Sequence, residues 1–146
     1  MDRIKIKELK IHSDDKGYLF ETLRNDDELF DGKFGQALIS VVYPNVIKGL
    51  HKHEKQTDYT VCVRGNCKYC VVKEENGKVE VKTFFIGEKN PVMIKIPPGL
   101  WHGYMPLGNE RATILHLMDK SYDVNDPDTE RLDVYAFGDV WTVKPS

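Results

Sequence analysis

Two stretches decide the fold of this chain: G-L-H-K-H-E-K-Q-T-D-Y-T-V-C-V-R-G, from Gly49 to Gly65, and I-P-P-G-L-W-H-G-Y, from Ile96 to Tyr104. His51 and His53 are two residues apart, so on a strand both side chains point to the same face. His102 follows a rigid Pro-Pro-Gly turn that aims it back across the sheet at the first pair. We therefore expect the three histidines to share one pocket in a β-structure.

Strand patterns also run through much of the remaining chain. Six short segments are rich in β-branched or aromatic residues, and turns containing glycine or asparagine separate them. The predicted strands are Ala37–Val42, Asp58–Val63, Cys67–Val72, Val79–Ile86, Val92–Ile96 and Ala112–Leu117. Many short strands at this spacing predict a β-sandwich, jelly roll or barrel, and Asn25–Leu29 suggests a peripheral helical turn.

Length and composition predict an ordinary soluble protein with one domain, residues 1–146. Hydrophobic residues make up 40% and charged residues 30%, and the net charge is −2, which implies neither nucleic acid nor membrane as a partner. The N-terminal M-D-R-I-K-I-K-E-L-K lacks the apolar region of a signal peptide. We therefore expect a cytoplasmic protein, and its three cysteines do not predict a secreted disulfide framework.

The histidine spacing resembles the two sequence motifs of the cupins. The first motif has its H-x-H at His51 and His53, its carboxylate at Asp58 and its glycine at Gly65. The second motif, P-x-G-x-x-H, ends at His102. Cupins usually have glutamate where this chain has aspartate. The resemblance implies an all-β, cupin-type β-jelly roll (double-stranded β-helix) with short peripheral helical turns.

Within the cupins, most of the chain resembles the dTDP-4-dehydrorhamnose 3,5-epimerase family. The segment D-K-G-Y-L-F-E, Asp15–Glu21, is similar to D-x-R-G-x-F-x-E, and K-G-L-H, Lys48–His51, is similar to R-G-L-H. Y-D-V-N-D-P-D-T-E-R, Tyr122–Arg131, is similar to their Y-x-P-x-x-E region. H-K-H-E-K-Q and C-V-R-G-N-C also resemble the related sugar-nucleotide 3,4-ketoisomerases. Both groups bind nucleoside-diphosphate 4-keto-6-deoxy sugars in a dimeric jelly roll.

The chemistry explains why a histidine is needed in this pocket. A hydrogen on the carbon next to a ketone is acidic enough for neutral imidazole to remove, provided that nearby donors stabilise the enolate. His51 matches the base position of the epimerases, and we expect His53 or His102 to polarise the carbonyl. The epimerases' proton-donating tyrosine is absent, because His116-Leu117-Met118 occupies its place. Tyr104 is a candidate for a replacement acid.

The resemblance also implies residues that bind the substrate. Lys16 and Lys48 fall where the epimerases use arginines against the diphosphate, and lysine keeps the charge but loses the bidentate geometry. Tyr18 and Glu21 match positions associated with the nucleotide base, supplied from a neighbouring subunit. Tyr59 is a candidate for substrate contact or for the acid role. The full substrate-binding set is Lys16, Tyr18, Glu21, Gln36, Lys48 and Tyr59.

We therefore predict an isomerase of deoxysugar or surface polysaccharide biosynthesis, a nucleoside-diphosphate 4-keto-6-deoxy-sugar epimerase acting at the 3- or 5-position or both. Its expected partners are a nucleotide sugar, with dTDP favoured, and a second copy of the chain that exchanges N-terminal segments. No cofactor and no metal are expected. The epimerases' tyrosine and late aspartate are both missing, since Ala136 and Phe137 stand at the place of the aspartate. Ketoisomerisation and sugar binding without catalysis therefore remain open.

A metal-dependent cupin is the main rival from another chemical class. Three imidazoles and one carboxylate, from His51, His53, Asp58 and His102, form a ligand set suited to Fe, Mn, Ni or Zn. The three hypotheses differ in a way that experiments can separate. An epimerase needs His51 as a base, a metal enzyme needs bound metal, and a binding protein leaves the sugar unchanged.

Overall fold

The computed structural model describes residues 1–146 and contains twelve β-strands and no helix, which confirms the all-β prediction. The strands are β1 Lys5–Glu8, β2 His12–Asp14, β3 Gly17–Leu19, β4 Gln36–Val42, β5 Lys48–Lys52, β6 Asp58–Arg64, β7 Asn66–Glu75, β8 Lys78–Gly87, β9 Val92–Ile96, β10 Trp101–Pro106, β11 Ala112–Met118 and β12 Glu130–Arg131. The segment Asn25–Leu29, predicted as a helical turn, forms two successive turns. The chain has no helix with the length and apolarity needed to cross a membrane.

The strands form two five-stranded antiparallel sheets that face each other as a jelly roll. The first sheet has the order β1-β9-β6-β11-β4, and the second has the order β12-β5-β10-β7-β8. Strands β2 and β3 pair only with each other, as a separate hairpin near the N-terminus. Because neighbouring strands in each sheet are often far apart in the chain, residues from distant segments meet between the two sheets.

All six strands predicted from alternation are present, and most extend slightly beyond the predicted bounds. The strands that the pattern missed are short or rich in glycine and histidine. The most important are β5 and β10, which carry His51 and His102. β10 forms a continuous ladder with β7, and β5 then pairs with β10 through a register shift. Partner strands therefore decide these two elements more than their own β-propensity does.

Strand β6 shows how alternation divides the interior from the outer surface. Tyr59 and Val61 pack on the outer side of the first sheet, in a cluster with Leu9 and Met93. The intervening residue Cys62 belongs to the main core between the sheets. The apolar core fills one end of the sandwich, and polar side chains fill the other end. Since strand side chains alternate with period two, one strand supplies both layers.

The C-terminal segment covers the outer side of the second sheet. Trp141 is 2% exposed and packs with Leu50, Val72 and Trp101. Its indole Nε1 donates to the carbonyl of Val134 at 2.8 Å. These contacts lie within one chain and fix the segment against the second sheet. The chain after β11 is therefore an integral part of the folded domain.

A close backbone approach holds β5 against β10 at the level of the site. A Cβ atom on Gly103 would lie 2.8 Å from the Lys48 carbonyl oxygen and 3.3 Å from the Trp141 ring. On the facing strand, Gly49 has φ of 152°, in a region that side-chain-bearing residues rarely adopt. The register shift of β5 occurs at this place, between the pairs His102 with His51 and Tyr104 with Lys48. Glycine on both strands therefore permits the offset that positions His51.

Candidate active site

A polar cavity of about 450 Å³ opens between the two sheets. Strands from both sheets and the segment after β11 form its walls. The lining residues are Gln36, Leu38, His51, His53, Gln56, Asp58, His102, Tyr104, His116, Met118, Tyr122, Pro127, Thr129 and Arg131. The cavity therefore collects four of the five histidines of the chain. A second, smaller cavity of about 240 Å³ lies beside the N-terminal hairpin and is lined by Tyr18, Phe20 and Val63, among others.

The predicted meeting of His53, Asp58 and His102 occurs at one carboxylate oxygen. Asp58 Oδ2 lies 3.3 Å from His102 Nε2 and 3.5 Å from His53 Nε2. The other oxygen accepts a 2.6 Å hydrogen bond from the Gln56 side-chain amide. Asp58 starts β6 in the first sheet, whereas His102 lies on β10 in the second. The carboxylate therefore joins the two sheets across the cavity.

Burial and charge act in opposite directions on this cluster, and charge prevails. Burial alone raises the pKa of Asp58, but the hydrogen bonds and positive charges of His102 and His53 outweigh it and hold the pKa well below its usual range. Burial likewise lowers the pKa of His53, but the hydrogen bond and charge of Asp58 prevail, so the pKa of His53 is raised. Asp58 and His53 thus each shift the pKa of the other in favour of the charged form.

The outer nitrogens of the two imidazoles are held by backbone carbonyls. The carbonyl of Asp128 accepts from His53 Nδ1 at 2.7 Å, and that of Leu100 accepts from His102 Nδ1 at 3.1 Å. Each ring therefore faces an acceptor at both nitrogens, which fixes its orientation. The Asp128 carboxylate also accepts from the backbone N–H groups of residues 54–56. The segment after β11 is thus tied to the loop that carries His53.

His51 differs from the other two predicted histidines because no carboxylate contacts it. Its ring centroid lies 5.9 Å from that of His102, and it pairs across the strands with Arg131. Burial, followed by the nearby positive charges of His102 and Arg131, lowers the pKa of His51 to about 4. A neutral imidazole therefore faces the cavity near pH 7, as a general base requires. The pKa values of His51 and His53 are therefore shifted in opposite directions within one pocket.

A second polar group joins the sheets deeper in the cavity. The Tyr104 hydroxyl donates to Ser40 Oγ at 3.1 Å and lies 3.2 Å from His116 Nε2. Thr60 Oγ1 lies 3.1 Å from His116 Nδ1. Burial lowers the pKa of His116 to about 4 and raises that of Tyr104. His116 stands where the epimerases were expected to have their tyrosine, and its hydrogen bond connects it to the candidate acid Tyr104.

The structure brings Gln36 to the cavity but not the other predicted binding residues. Lys48 donates to Ser40 Oγ at 2.9 Å. Tyr18 is 62% exposed and lines the smaller cavity. Three further residues also lie away from the main cavity: Lys16 pairs with Asp14 and Asp15, Glu21 pairs with Arg24, and Tyr59 accepts a hydrogen bond from the backbone of Asp31 on the outer side of the first sheet.

Sequence reasoning missed several residues of the cavity wall. Among the polar ones are Gln56, His116, Thr129 and Arg131. The period of two along β11 places His116 and Met118 on one face, a signal that was available in the sequence. For Thr129 and Arg131 the one signal was the resemblance of Tyr122–Arg131 to an epimerase region. No periodicity placed them at the site, to which the docking of β12 on β5 brings them.

The residues that could hold a metal form a smaller set than the sequence suggested. Ligand atoms of His53, Asp58 and His102 all lie within 4.8 Å of one another. His51, the fourth ligand of the alternative hypothesis, is not in this group. Two imidazoles and one carboxylate with open positions are a ligand set that divalent transition metals accept.

Residues 12–130 match the model of the family described as polysaccharide biosynthesis C-terminal domain. The chain belongs to this family. The spore coat polysaccharide biosynthesis protein SpsL of Bacillus subtilis is 38% identical over 90% of this chain and 89% of its own length. A Haloferax volcanii protein named "probable low-salt glycan biosynthesis epimerase" is 31% identical over 88% of this chain and 85% of its own length.

Solved structures share the fold. A dTDP sugar isomerase from Desulfovibrio desulfuricans has a TM-score of 0.84 at 20% identity, over 95% of this chain and 89% of its own. The dTDP-6-deoxy-D-glucose-3,5-epimerase of Legionella pneumophila, in complex with dTDP-4-keto-L-rhamnose, has a TM-score of 0.79 at 21% identity, over 92% and 74%. These similarities confirm the jelly roll that the resemblance to the epimerases implied.

Replacing Asp58 with asparagine tests the charge balance of the cluster. Without the carboxylate, the hydrogen bond and charge of Asp58 no longer oppose burial, so the pKa of His53 should fall below its wild-type value. Loss of the buried charge-assisted contacts should also cost about 1–3 kcal/mol of the free energy of unfolding at pH 7. The titration of the His53 C2 proton by NMR and urea unfolding measure the two effects. The control Asp126→Asn alters an exposed pair with Lys55 and should change neither.

Proposed function

We propose that this chain is a nucleoside-diphosphate 4-keto-6-deoxy-sugar epimerase, acting at the 3- or 5-position or both, in deoxysugar or surface polysaccharide biosynthesis. The observation that carries the proposal is the neutral His51 facing the cavity beside the His53, Asp58 and His102 cluster. Membership of a polysaccharide biosynthesis family supports it, as does the Haloferax relative named an epimerase. The chemical class follows from a base placed next to hydrogen-bond donors.

The first step of the reaction moves one proton and one electron pair. His51 takes the proton from the carbon next to the ketone, and the electrons of the broken C–H bond form an enolate at the ketone oxygen. His53 and His102 hold protons at the cavity wall for that oxygen. Their distances to Asp58 Oδ2, 3.5 and 3.3 Å, are longer than about 2.7–2.9 Å for a tight charge-assisted bond. A ketone oxygen can therefore share these protons with Asp58.

Charge at the cavity rim suits an anionic substrate. Arg131 lines the cavity next to His51 and has no carboxylate within salt-bridge distance. An arginine without a protein partner can bind phosphate oxygens through two parallel hydrogen bonds. Arg131 thus takes the part in diphosphate binding for which Lys16 and Lys48 were candidates. The Legionella structure with its dTDP-linked sugar supports dTDP as the nucleotide.

The sequence and structure also support a homodimer. The outer side of the edge strand β4 exposes Ile39 at 58% and Val41 at 39%, and Tyr43, which directly follows the strand, is 69% exposed. An unpaired strand edge with apolar side chains is a surface that a second copy of the same chain can cover. We also propose a cytoplasmic location, because three free buried cysteines, Cys62, Cys67 and Cys70, suit a reducing compartment.

Removal of the base is the direct test of the proposed function. His51→Ala should lower turnover of dTDP-4-keto-6-deoxyglucose by about 10²–10⁴-fold, because the proton acceptor is lost. Binding of dTDP and the melting temperature should stay near the wild-type values. The exposed histidine variant His12→Ala is the matched control and should retain activity. Full turnover in His51→Ala would overturn the assignment of the base.

A metal-dependent reaction is the second candidate, and one observation favours it. The outer nitrogens of His53 and His102 donate to backbone carbonyls, as those of metal-bound histidines do. Metal analysis of the purified protein separates the two candidates. The epimerase proposal expects far less than one equivalent of Fe, Mn, Ni or Zn, and turnover that survives a chelator. Near-stoichiometric metal with chelator-sensitive turnover would favour the second candidate.

The dimer proposal makes its own prediction for mass in solution. Light scattering should give twice the chain mass for the wild type. Ile39→Asp places a charge on the proposed interface and should shift the protein towards the monomer. Val143→Asp changes an equally apolar side chain that is 68% exposed beyond β12 and lies on no strand edge, so it should leave the dimer intact. A monomeric wild type would contradict the proposed dimer.

A further inference from the structure

A continuous chain of hydrogen bonds crosses the inner end of the cavity. Lys48 Nζ donates to Ser40 Oγ at 2.9 Å, and the Tyr104 hydroxyl donates to the same oxygen at 3.1 Å. The Tyr104 hydroxyl has one proton, which it donates to Ser40. In its 3.2 Å contact with His116, the hydroxyl oxygen must therefore accept, and His116 Nε2 donates. His116 Nδ1 then accepts from Thr60 Oγ1 at 3.1 Å. The tautomer of His116 follows from the network.

Tyr104 reaches across the sandwich from one sheet to the other. Its backbone lies on β10 of the second sheet, beside β5, which carries His51. Its hydroxyl contacts Ser40 of β4 and His116 of β11, both in the first sheet. The proposed base therefore belongs to one wall of the cavity, and the phenolic proton lies against the facing wall. A sugar ring between the walls would present opposite faces to the two groups.

The network consists of polar side chains at buried positions that apolar side chains could also fill. Tyr104 is 5% exposed, and His116 is 8% exposed. Buried polar networks are costly unless every member is satisfied, and hydrophobic replacements of similar shape are often at least as stable. Both side chains line the cavity. Stability alone therefore gives no reason for a tyrosine and a histidine here.

We propose that Tyr104 is the acid that protonates the enolate on the face opposite His51, with His116 and Ser40 positioning it. The inference rests on the proposed function and names the group that inverts the carbon. The Tyr104 O–H bond breaks, its proton forms the new C–H bond, and the enolate electron pair supplies that bond while the ketone re-forms. Tyr104 is left as a phenolate and His51 as an imidazolium. Return of one proton to Tyr104 and loss of one from His51 to solvent complete the cycle.

The surroundings of Tyr104 are suited to the phenolate that this step creates. His116 Nε2–H already points at the oxygen, and the Ser40 hydroxyl can turn its proton towards it. The Lys48 ammonium lies directly behind Ser40 and contributes positive charge. Preorganised donors of this kind, aimed at developing negative charge, are the usual means of stabilising an oxyanion. Burial raises the pKa of Tyr104, so these donors are needed if the proton is to leave.

Incubation with dTDP-4-keto-6-deoxyglucose in D₂O tests the role of Tyr104. The wild type should give an inverted sugar that carries deuterium at the inverted carbon. Tyr104→Phe should lower inversion by about 10²–10⁴-fold while deuterium still enters without inversion, because His51 can remove and return the proton on one face. NMR of the recovered sugar measures both quantities. The variant's melting temperature and dTDP binding establish that it folds.

The outcomes separate this inference from the proposed function. Inversion at the wild-type rate in Tyr104→Phe would overturn the role of Tyr104, and so would loss of exchange together with inversion in a folded variant that binds dTDP. A wild type that neither exchanges nor inverts would overturn the proposed function, and the inference with it. Exchange without inversion in the variant alone is the expected result.

Two variants of His116 test its positioning role. His116→Leu removes the donor to Tyr104 and should lower kcat for inversion by about tenfold or more, with KM unchanged. His116→Gln keeps a side-chain N–H and should recover part of the lost rate. A merely structural role would lower stability equally in both variants without separating kcat from KM. Wild-type kcat in His116→Leu would overturn the assignment of His116.

Discussion

The buried carboxylate of Asp58 is the constraint on which the rest of the site depends. An isolated carboxylate at 5% exposure would cost several kcal/mol, so its ionisation requires His53 and His102. These partners come from the end of β5 and from β10, whereas Asp58 begins β6 in the other sheet. The two sheets are therefore joined by charge at the open end of the sandwich and by apolar packing at the closed end. Asp58 on one side of each ring and a backbone carbonyl on the other fix the orientation of both imidazoles.

The segment after β11 completes the site rather than merely covering the domain. The Asp128 carbonyl accepts from His53 Nδ1, and the Asp128 carboxylate holds the backbone of the adjoining loop. Arg131 then adds a positive charge beside His51 and helps to lower the pKa of that imidazole. A part of the chain with little regular structure thus forms one wall of the cavity. Its position is secured by hydrogen bonds to the loop and by the buried Trp141.

The electrostatics separate the histidines into distinct chemical roles. His51 and His53 are two residues apart, yet burial dominates the first and Asp58 dominates the second, so their pKa values move in opposite directions. One is suited to accept a proton and the other to hold one. The chain lacks the tyrosine of the epimerases at its usual position. His116 occupies its place and, through a hydrogen bond, presents the phenol of Tyr104 at the same wall.

The sequence by itself determined the all-β class, the six strands with clear alternation and the convergence of His51, His53 and His102, because period-two patterns and turn residues are local properties. It did not predict β5 and β10 as paired strands. Only the tertiary structure decided that Lys16 and Tyr59 lie away from the cavity while His116 and Arg131 line it. The reason is physical, since the facing sheets and the docking of β12 bring together residues that are far apart in the chain. No local pattern records such contacts, nor the burial and charge that set each histidine's pKa.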